Sequence, residues 1–306
     1  MESLMRNAFL FLSKNKVANR TAKKYGLRFG AKRFVAGVQI SEAVTTVRML
    51  NEKGIVVTLD HLGEFISTRE EAIEATAYNV RTLHEIAASG VKSNLSLKMT
   101  QLGLDISREL CMSNMRQILD AAKQHGNFVR IDMEDYAHNE VTLDIFRELR
   151  EEYGTTVGLV IQAYLYKSQA DMEQLAVYKP NLRLVKGAYK ESQEVAFPRK
   201  EDVDQNFIRI IEQHLLDGHY AAIATHDDNV INHVKQFVKD HRIPNSQFEF
   251  QMLYGIRVQA QQELANQGYT MRVYVPYGDD WYGYFMRRLA ERPANVGFVL
   301  KSMFKS

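Results

Sequence analysis

The 306-residue chain is 45% hydrophobic and 25% charged, with a formal net charge of +2, the balance of a soluble globular protein of one large or two ordinary domains. No stretch approaches the roughly 18 consecutive apolar residues of a membrane span. The single cysteine, Cys111, excludes a disulfide framework and a thiolate metal cluster, and suits a reducing, intracellular setting.

The charge is unevenly spread. Residues 1–34 carry nine Lys/Arg against Glu2 alone, a local balance of +8 that leaves −6 for the remainder. The opening MESLMRNAFLFLSKNK has a five-residue apolar run, Ala8 to Leu12, too short for the core of a signal peptide. Helical patterning without strand signal makes residues 1–53 an expected N-terminal helical extension of a domain spanning 54–306. Its cationic face reads as the wet side of a helix packed on the domain, or as a contact with an anionic membrane surface. Nucleic acid is a weaker reading, because no nucleic-acid motif follows.

From residue 55, short β-rich runs alternate with helical stretches. The runs are IVVTLD (55–60), NLSLKM (94–99), NFVRIDM (127–133), VGLVIQAY (157–164), LRLVKGAY (182–189), YAAIATH (220–226), FEFQML (248–253) and MRVYVP (271–276). Several are nearly continuous apolar segments, as parallel strands buried on both faces require. The helical stretches between them stop at Gly90, Gly126, Gly154, Gly218 and Gly268, where a left-handed cap is expected. Eight strand–helix units over roughly 240 residues match a closed (β/α)8 barrel of the TIM type. An open doubly wound sheet would show a Gly-rich phosphate loop early, and no G-x-G-x-x-G or P-loop motif is present.

In such a barrel, chemistry belongs to the C-terminal strand ends. Polar groups gather there or on the strands: Lys98; Arg130 and Asp132; Gln162 and Tyr164; Arg183 and the segment Lys186 to Tyr189; Thr225, His226, Asp227 and Asp228; Glu249 and Gln251; Arg272 and Tyr274. Burying unpaired charge costs several kcal/mol, so the set needs a purpose. Ion pairs within the barrel, such as Lys98 with Asp132, are the bland one. The excess of cations instead invites an anionic ligand. Metal binding at His226 is disfavoured, since no second histidine stands at ligand spacing from it. His214 and His219 read as ordinary histidines, and Cys111 as core. The stretch WYGYFMRRLAERP (281–293) puts Tyr284, Arg287, Arg288 and Glu291 on one helix sector. After strand 8, that helix falls over the barrel mouth.

RLVKGAY, ATHD, FEFQMLYG and the Y-x-x-R-R-x-x-E of Tyr284 to Glu291 resemble the proline dehydrogenase domain, a flavin enzyme with a distorted (β/α)8 barrel. The resemblance runs from AGVQISEAV to RRLAERPANV, most of the chain. It implies that Arg287, Arg288 and Lys98 hold the carboxylate of L-proline, with Glu291 orienting the arginines. Tyr189, Leu253, Tyr274 and Tyr284 would wall the ring. Asp132 would support the site beside Lys98, and Arg183 would lie near flavin N5. The cofactor, FAD, would be held by Gln162, Lys186, Gly187, Ala188, Thr225 and His226, with Arg130 and Glu249 also assigned to the cofactor-binding set. Two positions depart from the family pattern: Asp227 where Asn is common, and Lys190 where larger members often carry Trp.

The implied reaction is hydride transfer from C5 of L-proline to N5, giving Δ1-pyrroline-5-carboxylate, the first step of proline catabolism. Electrons would pass to membrane quinone, from a cytoplasmic protein resting on the inner face of the cell membrane. A separate pyrroline-5-carboxylate dehydrogenase would take the product. Two other readings stay open at this stage: a Schiff-base barrel using Lys98 or Lys186, and a non-catalytic amino-acid sensor.

Overall fold

The computed structural model describes residues 31–63 and 66–291. Eight parallel strands close into a barrel in sequence order: β1 (Val56–His61), β2 (Ser93–Lys98), β3 (Val129–Asp132), β4 (Val157–Gln162), β5 (Leu182–Val185), β6 (Ala221–Ala224), β7 (Phe248–Leu253) and β8 (Met271–Tyr277). Closure comes from β8 lying beside β1, in register from Val56 with Arg272 to His61 with Tyr277. Helices α1 (Ile40–Glu52), α2 (Arg69–Ser89), α3 (Arg108–Gln124), α4 (Tyr136–Tyr153), α5 (Ser168–Leu175), α6 (Lys200–Leu216), α7 (Asp228–Asp240), α8 (Val258–Asn266) and α9 (Trp281–Glu291) alternate with the strands. The predicted fold class is therefore the observed one.

Local chemistry sets these elements. Every residue of VGLVIQ in β4 is buried, because lumen takes one face and helices the other. α2 begins at a reciprocal cap: the Thr68 hydroxyl accepts from Glu71 N, and Glu71 Oε2 accepts from Thr68 N at 3.0 Å. It stops at Gly90 with φ 66°, and the other four predicted glycine stops also have positive φ.

Strand alternation sorts the side chains. Leu59, Leu95, Leu97, Ile131, Leu159, Leu184, Phe250 and Val273 join the apolar layer under the helices. Asp60, Ser96, Lys98, Asp132, Arg183, Gln251 and Tyr274 meet one another across the lumen.

Of the predicted extension, residues 1–30 and the role of their basic face lie outside the described residues. Ala43 and Val47 of α1 share the apolar layer with the strands, while Ala36 N donates to Pro276 O and Gly278 N to Gly37 O. At the other end, Trp281, Tyr282, Tyr284 and Phe285 of α9 bury themselves with Phe34, Leu62 and Ile256, and Leu253 packs against the group. This sets α9 over the C-terminal ends of β1 and β7.

Candidate active site at the barrel mouth

Asp132 is the hub of the upper lumen. Its Oδ1 accepts from Arg183 Nη1 at 2.5 Å, and its Oδ2 accepts from the Tyr274 hydroxyl at 2.8 Å. Lys98 Nζ lies 3.7 Å from Asp132 Oδ2 and 3.5 Å from Asp60 Oδ2. Arg183 spends its remaining nitrogens on neighbouring strands: Nη2 donates to Ser96 Oγ at 2.9 Å and Nε to Gln251 Oε1 at 2.6 Å. Its guanidinium carbon also sits 5.2 Å from the Tyr274 ring centroid. One constellation thus draws on β1, β2, β3, β5, β7 and β8, with its ion pairs shielded from water.

The electrostatics follow from that shielding. Burial pushes the Asp60 carboxyl above its usual range, Lys98 opposing. Burial, then the charges of Asp132 and Asp60, drive the Tyr274 phenol well above its ordinary value, so it stays a hydroxyl and a donor. Asp60 was missed from sequence. It ends the strand IVVTLD, where the same strand-end rule points to it; Ser96 is the same kind of miss, two residues before Lys98 on one face.

The ring-walling candidates separate. Tyr284 and Leu253 come together beneath α9, and the Arg288 guanidinium carbon lies 5.1 Å from the Tyr284 ring centroid. Tyr189, in the loop after β5, is 41% exposed. The side chains of Arg287 and Glu291 lie outside the described residues.

The expected cofactor residues cluster at the ends of β4, β5 and β6. The Gln162 amide donates to Glu134 O at 3.0 Å, while its buried Oε1 has no hydrogen-bond partner, a debt a bound group with an N–H or O–H can settle. Lys186 Nζ stands between Asp204 Oδ1 (2.6 Å) and Asp227 Oδ2 (2.8 Å). Gly187 has φ 111°, and a Cβ there would lie 2.1 Å from the Tyr164 ring; only glycine lets the backbone run so close. Thr225 Oγ1 accepts from Asp227 N at 3.1 Å, and His226 Nε2 accepts from Leu253 N at 3.1 Å, tying the end of β6 to that of β7. Ala188 is exposed beside them. Asp227 also caps α7 through Asn229 N, and Asp228 pairs with Arg257 at 2.6 Å, so both acids after His226 have local work.

Arg130 and Glu249 do not join this cluster. Arg130 donates to Asn181 O and Oδ1 at 2.5 and 2.6 Å and to Leu159 O at 3.1 Å. Burial, then the charge of Arg183, pulls its guanidinium down to about 9. Glu249 accepts from Arg272 Nε at 2.8 Å and from the Tyr220 hydroxyl at 3.0 Å. Asn181 and Tyr220 immediately precede β5 and β6, so both charges belong to the N-terminal end of the lumen. The assignment to cofactor binding is corrected on that ground: their hydrogen bonds are spent at the end of the barrel away from the mouth.

The sequence matches the family described as Proline dehydrogenase over residues 43–301. It is 54% identical over 302 residues to Proline dehydrogenase 1 of Bacillus subtilis subsp. natto, covering 99% of this chain and 100% of that protein. It is 43% identical to Proline dehydrogenase of Deinococcus radiodurans, over 100% of this chain and 99% of that one. Among solved structures, proline utilization A from Bdellovibrio bacteriovorus, inactivated by N-propargylglycine, superposes with a TM-score of 0.79 at 26% identity, over 85% of this chain. This chain spans about a third of that longer protein, 32%. A barrel whose mouth gathers cations around a buried carboxylate hub, matched along its length in this way, belongs to the proline dehydrogenase family of oxidoreductases.

Proposed function

We propose that the protein uses bound FAD to oxidise L-proline to Δ1-pyrroline-5-carboxylate, and delivers the electrons to membrane quinone. The observation that carries the reading is the mouth constellation of Lys98, Asp132, Arg183 and Tyr274, adjoining a cluster with an unsatisfied buried acceptor at Gln162 and a glycine-only approach at Gly187. Gln162, Lys186, Gly187, Ala188, Thr225 and His226 would hold FAD, and two of them carry the fit: a backbone stripped of side chain at Gly187, and an orphaned amide oxygen at Gln162 for a ring or ribityl donor. When bound, the flavin supplies the two-electron acceptor that side chains lack.

The chain's own residues bind, orient and exclude water. Lys98, with Arg287 and Arg288 from α9, would hold the proline carboxylate, and Glu291 would orient the arginine pair. Asp60 and Asp132 flank Lys98 at 3.5 and 3.7 Å, which positions the ammonium at the mouth. Clamping one end of a rigid ring fixes its other end. Tyr274, Leu253 and Tyr284 would wall that ring, with Tyr189 at the exposed edge. Asp132 holds Arg183 and Tyr274 together, and Arg183 would lie near flavin N5, where its cation would offset the negative charge that the flavin takes up on reduction. The substrate amine would lose its proton to solvent before hydride leaves C5. N-propargylglycine, which inactivates the Bdellovibrio relative, also joins a carboxylate to a secondary amine, and so supports a site built for that pairing.

The product would leave for a separate pyrroline-5-carboxylate dehydrogenase. Among the described residues no helix is long and apolar enough to cross a membrane; contact with quinone would be peripheral, from a cytoplasmic protein, through the basic N-terminal region. One visible absorbance spectrum before and after anaerobic L-proline tests the core of the proposal. A flavin spectrum that bleaches is expected. A protein that stays colourless after added FAD would overturn the cofactor, and a flavin that proline leaves oxidised would overturn the substrate.

A further inference from the structure

Glu249 is a buried charge at the far end of the lumen, yet it reaches the site through one intermediary. Glu249 and Gln251 are alternate residues of β7, and both point into the barrel. Gln251 Nε2 donates to Glu249 Oε1 at 2.5 Å, and Gln251 Oε1 accepts from Arg183 Nε at 2.6 Å. Glu249 and Gln251 are each 2% exposed, and Arg183 5%, so water does not arbitrate.

A side-chain amide can present either its oxygen or its nitrogen to a neighbour, and the two ends differ little in shape. Arginine Nε–H only donates, so Arg183 needs the oxygen. What enforces that choice is the other end. An ionised carboxylate only accepts, so Glu249 demands the amide nitrogen. Burial pulls the Glu249 carboxyl up, but the charge and hydrogen bond of Arg272, with the bond from Gln251, hold it below the usual carboxylate range. Arg272 and Tyr220 in turn fix the carboxylate at 2.8 and 3.0 Å.

We propose that Glu249 is a positioning residue for Arg183, acting through Gln251: its acceptor-only carboxylate locks the Gln251 amide so that an oxygen always faces the Arg183 Nε–H. The inference rests on the reading that Arg183 faces substrate and cofactor. Arg183 is then fixed on three sides, by Gln251 at Nε, Asp132 at Nη1 and Ser96 at Nη2. Release of one side lets the guanidinium swing about the other two. Polar groups at the closed end of the barrel thereby set geometry at the open end.

The variant Glu249→Gln keeps the shape and lets the Gln251 amide turn over, so that two donors meet. The double variant Glu249→Gln with Gln251→Glu puts a carboxylate beside Arg183, where either orientation accepts, and keeps the total charge. Stopped-flow reduction of the protein-bound flavin by L-proline is expected to slow by about tenfold to a hundredfold in Glu249→Gln and to recover in the double variant. The saturating constant for proline is expected to stay near the parent value, since the clamp on the carboxylate is elsewhere. An arginine-labelled ¹H–¹⁵N spectrum gives a readout independent of turnover. The Arg183 Nε–H signal, assigned by its loss in Arg183→Lys, should shift in Glu249→Gln and return in the double variant. Slow reduction without rescue would reduce Glu249 to a barrel-stabilising partner of Arg272 and overturn the proposal. Normal reduction and an unshifted signal in Glu249→Gln, with Arg183→Lys impaired, would overturn it while leaving the site intact. Normal reduction in Arg183→Lys would remove Arg183 from the site, and the proposal with it.

Discussion

Replacing Asp132 by Asn keeps the shape of the hub and removes its charge. The carboxylate neutralises an Arg183 whose side chain is only 6% exposed, and breaking such a buried pair from one side costs about 3–5 kcal/mol. Arg183 keeps its bonds to Gln251 and Ser96 and its face on Tyr274, which argues for the lower end, about 3 kcal/mol. The Asn oxygen can accept from Arg183 or from Tyr274, so one hydrogen bond to a charged acceptor is lost as well, about 1.5 kcal/mol. For 306 residues, an unfolding entropy of about 2.1 cal/mol/K per residue converts the pair's share alone into a Tm loss of about 5 °C. Activity should suffer more than stability, because both Arg183 and Tyr274 shift: kcat/KM for L-proline is expected to fall by about a hundredfold or more. Differential scanning fluorimetry and a dye-linked L-proline oxidation assay read the two effects. Tyr274→Phe, which removes only the hydroxyl, calibrates the smaller term. An Asp132→Asn protein within about 1 °C of the parent Tm, with unchanged kcat/KM, would refute the assignment of Asp132 as the hub.

Asp60→Asn should behave in the opposite sense. An acid whose folded pKa is raised above its unfolded value of 3.8 costs stability that builds as pH climbs from 3.8 and is complete above the folded value. The neutral amide removes that cost, so at neutral pH the Tm should hold or rise, and a loss matching that of Asp132→Asn would contradict the burial argument. Gly187→Ala forces a Cβ to within 2.1 Å of the Tyr164 ring at φ 111°. Backbone strain of about 1–3 kcal/mol should appear as weakened FAD retention on equilibrium dialysis, whereas unchanged retention would take Gly187 out of the cofactor set. His138 bridges Asp135 at 2.5 Å and Asp105 at 2.8 Å. Partial burial pulls its imidazole down, but the hydrogen bonds to Asp105 and Asp135 overcome this and raise it from 6.5 to about 9. Its contribution is therefore complete below pH 6.5 and is lost as pH climbs through about 9. The Tm gap between the parent and His138→Gln should shrink across that window, and a constant gap would show that the bridge is not ionic.

The barrel was legible because its two periodicities are strong and repeated. Near-continuous apolar runs such as VGLVIQ and glycine stops such as Gly90 recur at matching places, and each depends on local chemistry alone. The site was legible where a residue closes a strand, as Lys98 and Asp132 do. It blurred one step lower. Arg130 and Asp132 share a face of β3, as Glu249 and Gln251 share one of β7, yet a two-residue step is about 6.6 Å along the strand. That distance separates the mouth from the floor, and composition says nothing about it. The basic N-terminal stretch lies outside the described residues, so its reading rests on sequence.

The filled floor of the barrel has a consequence for traffic. With Arg130, Glu249, Gln251 and Arg183 packed across the lumen and nearly dry, the barrel is a cup rather than a tube. Reactant, product and solvent must share the single rim that α9 overlies. Arrival and departure are then successive uses of one doorway, and a slow step at that doorway would throttle both directions alike.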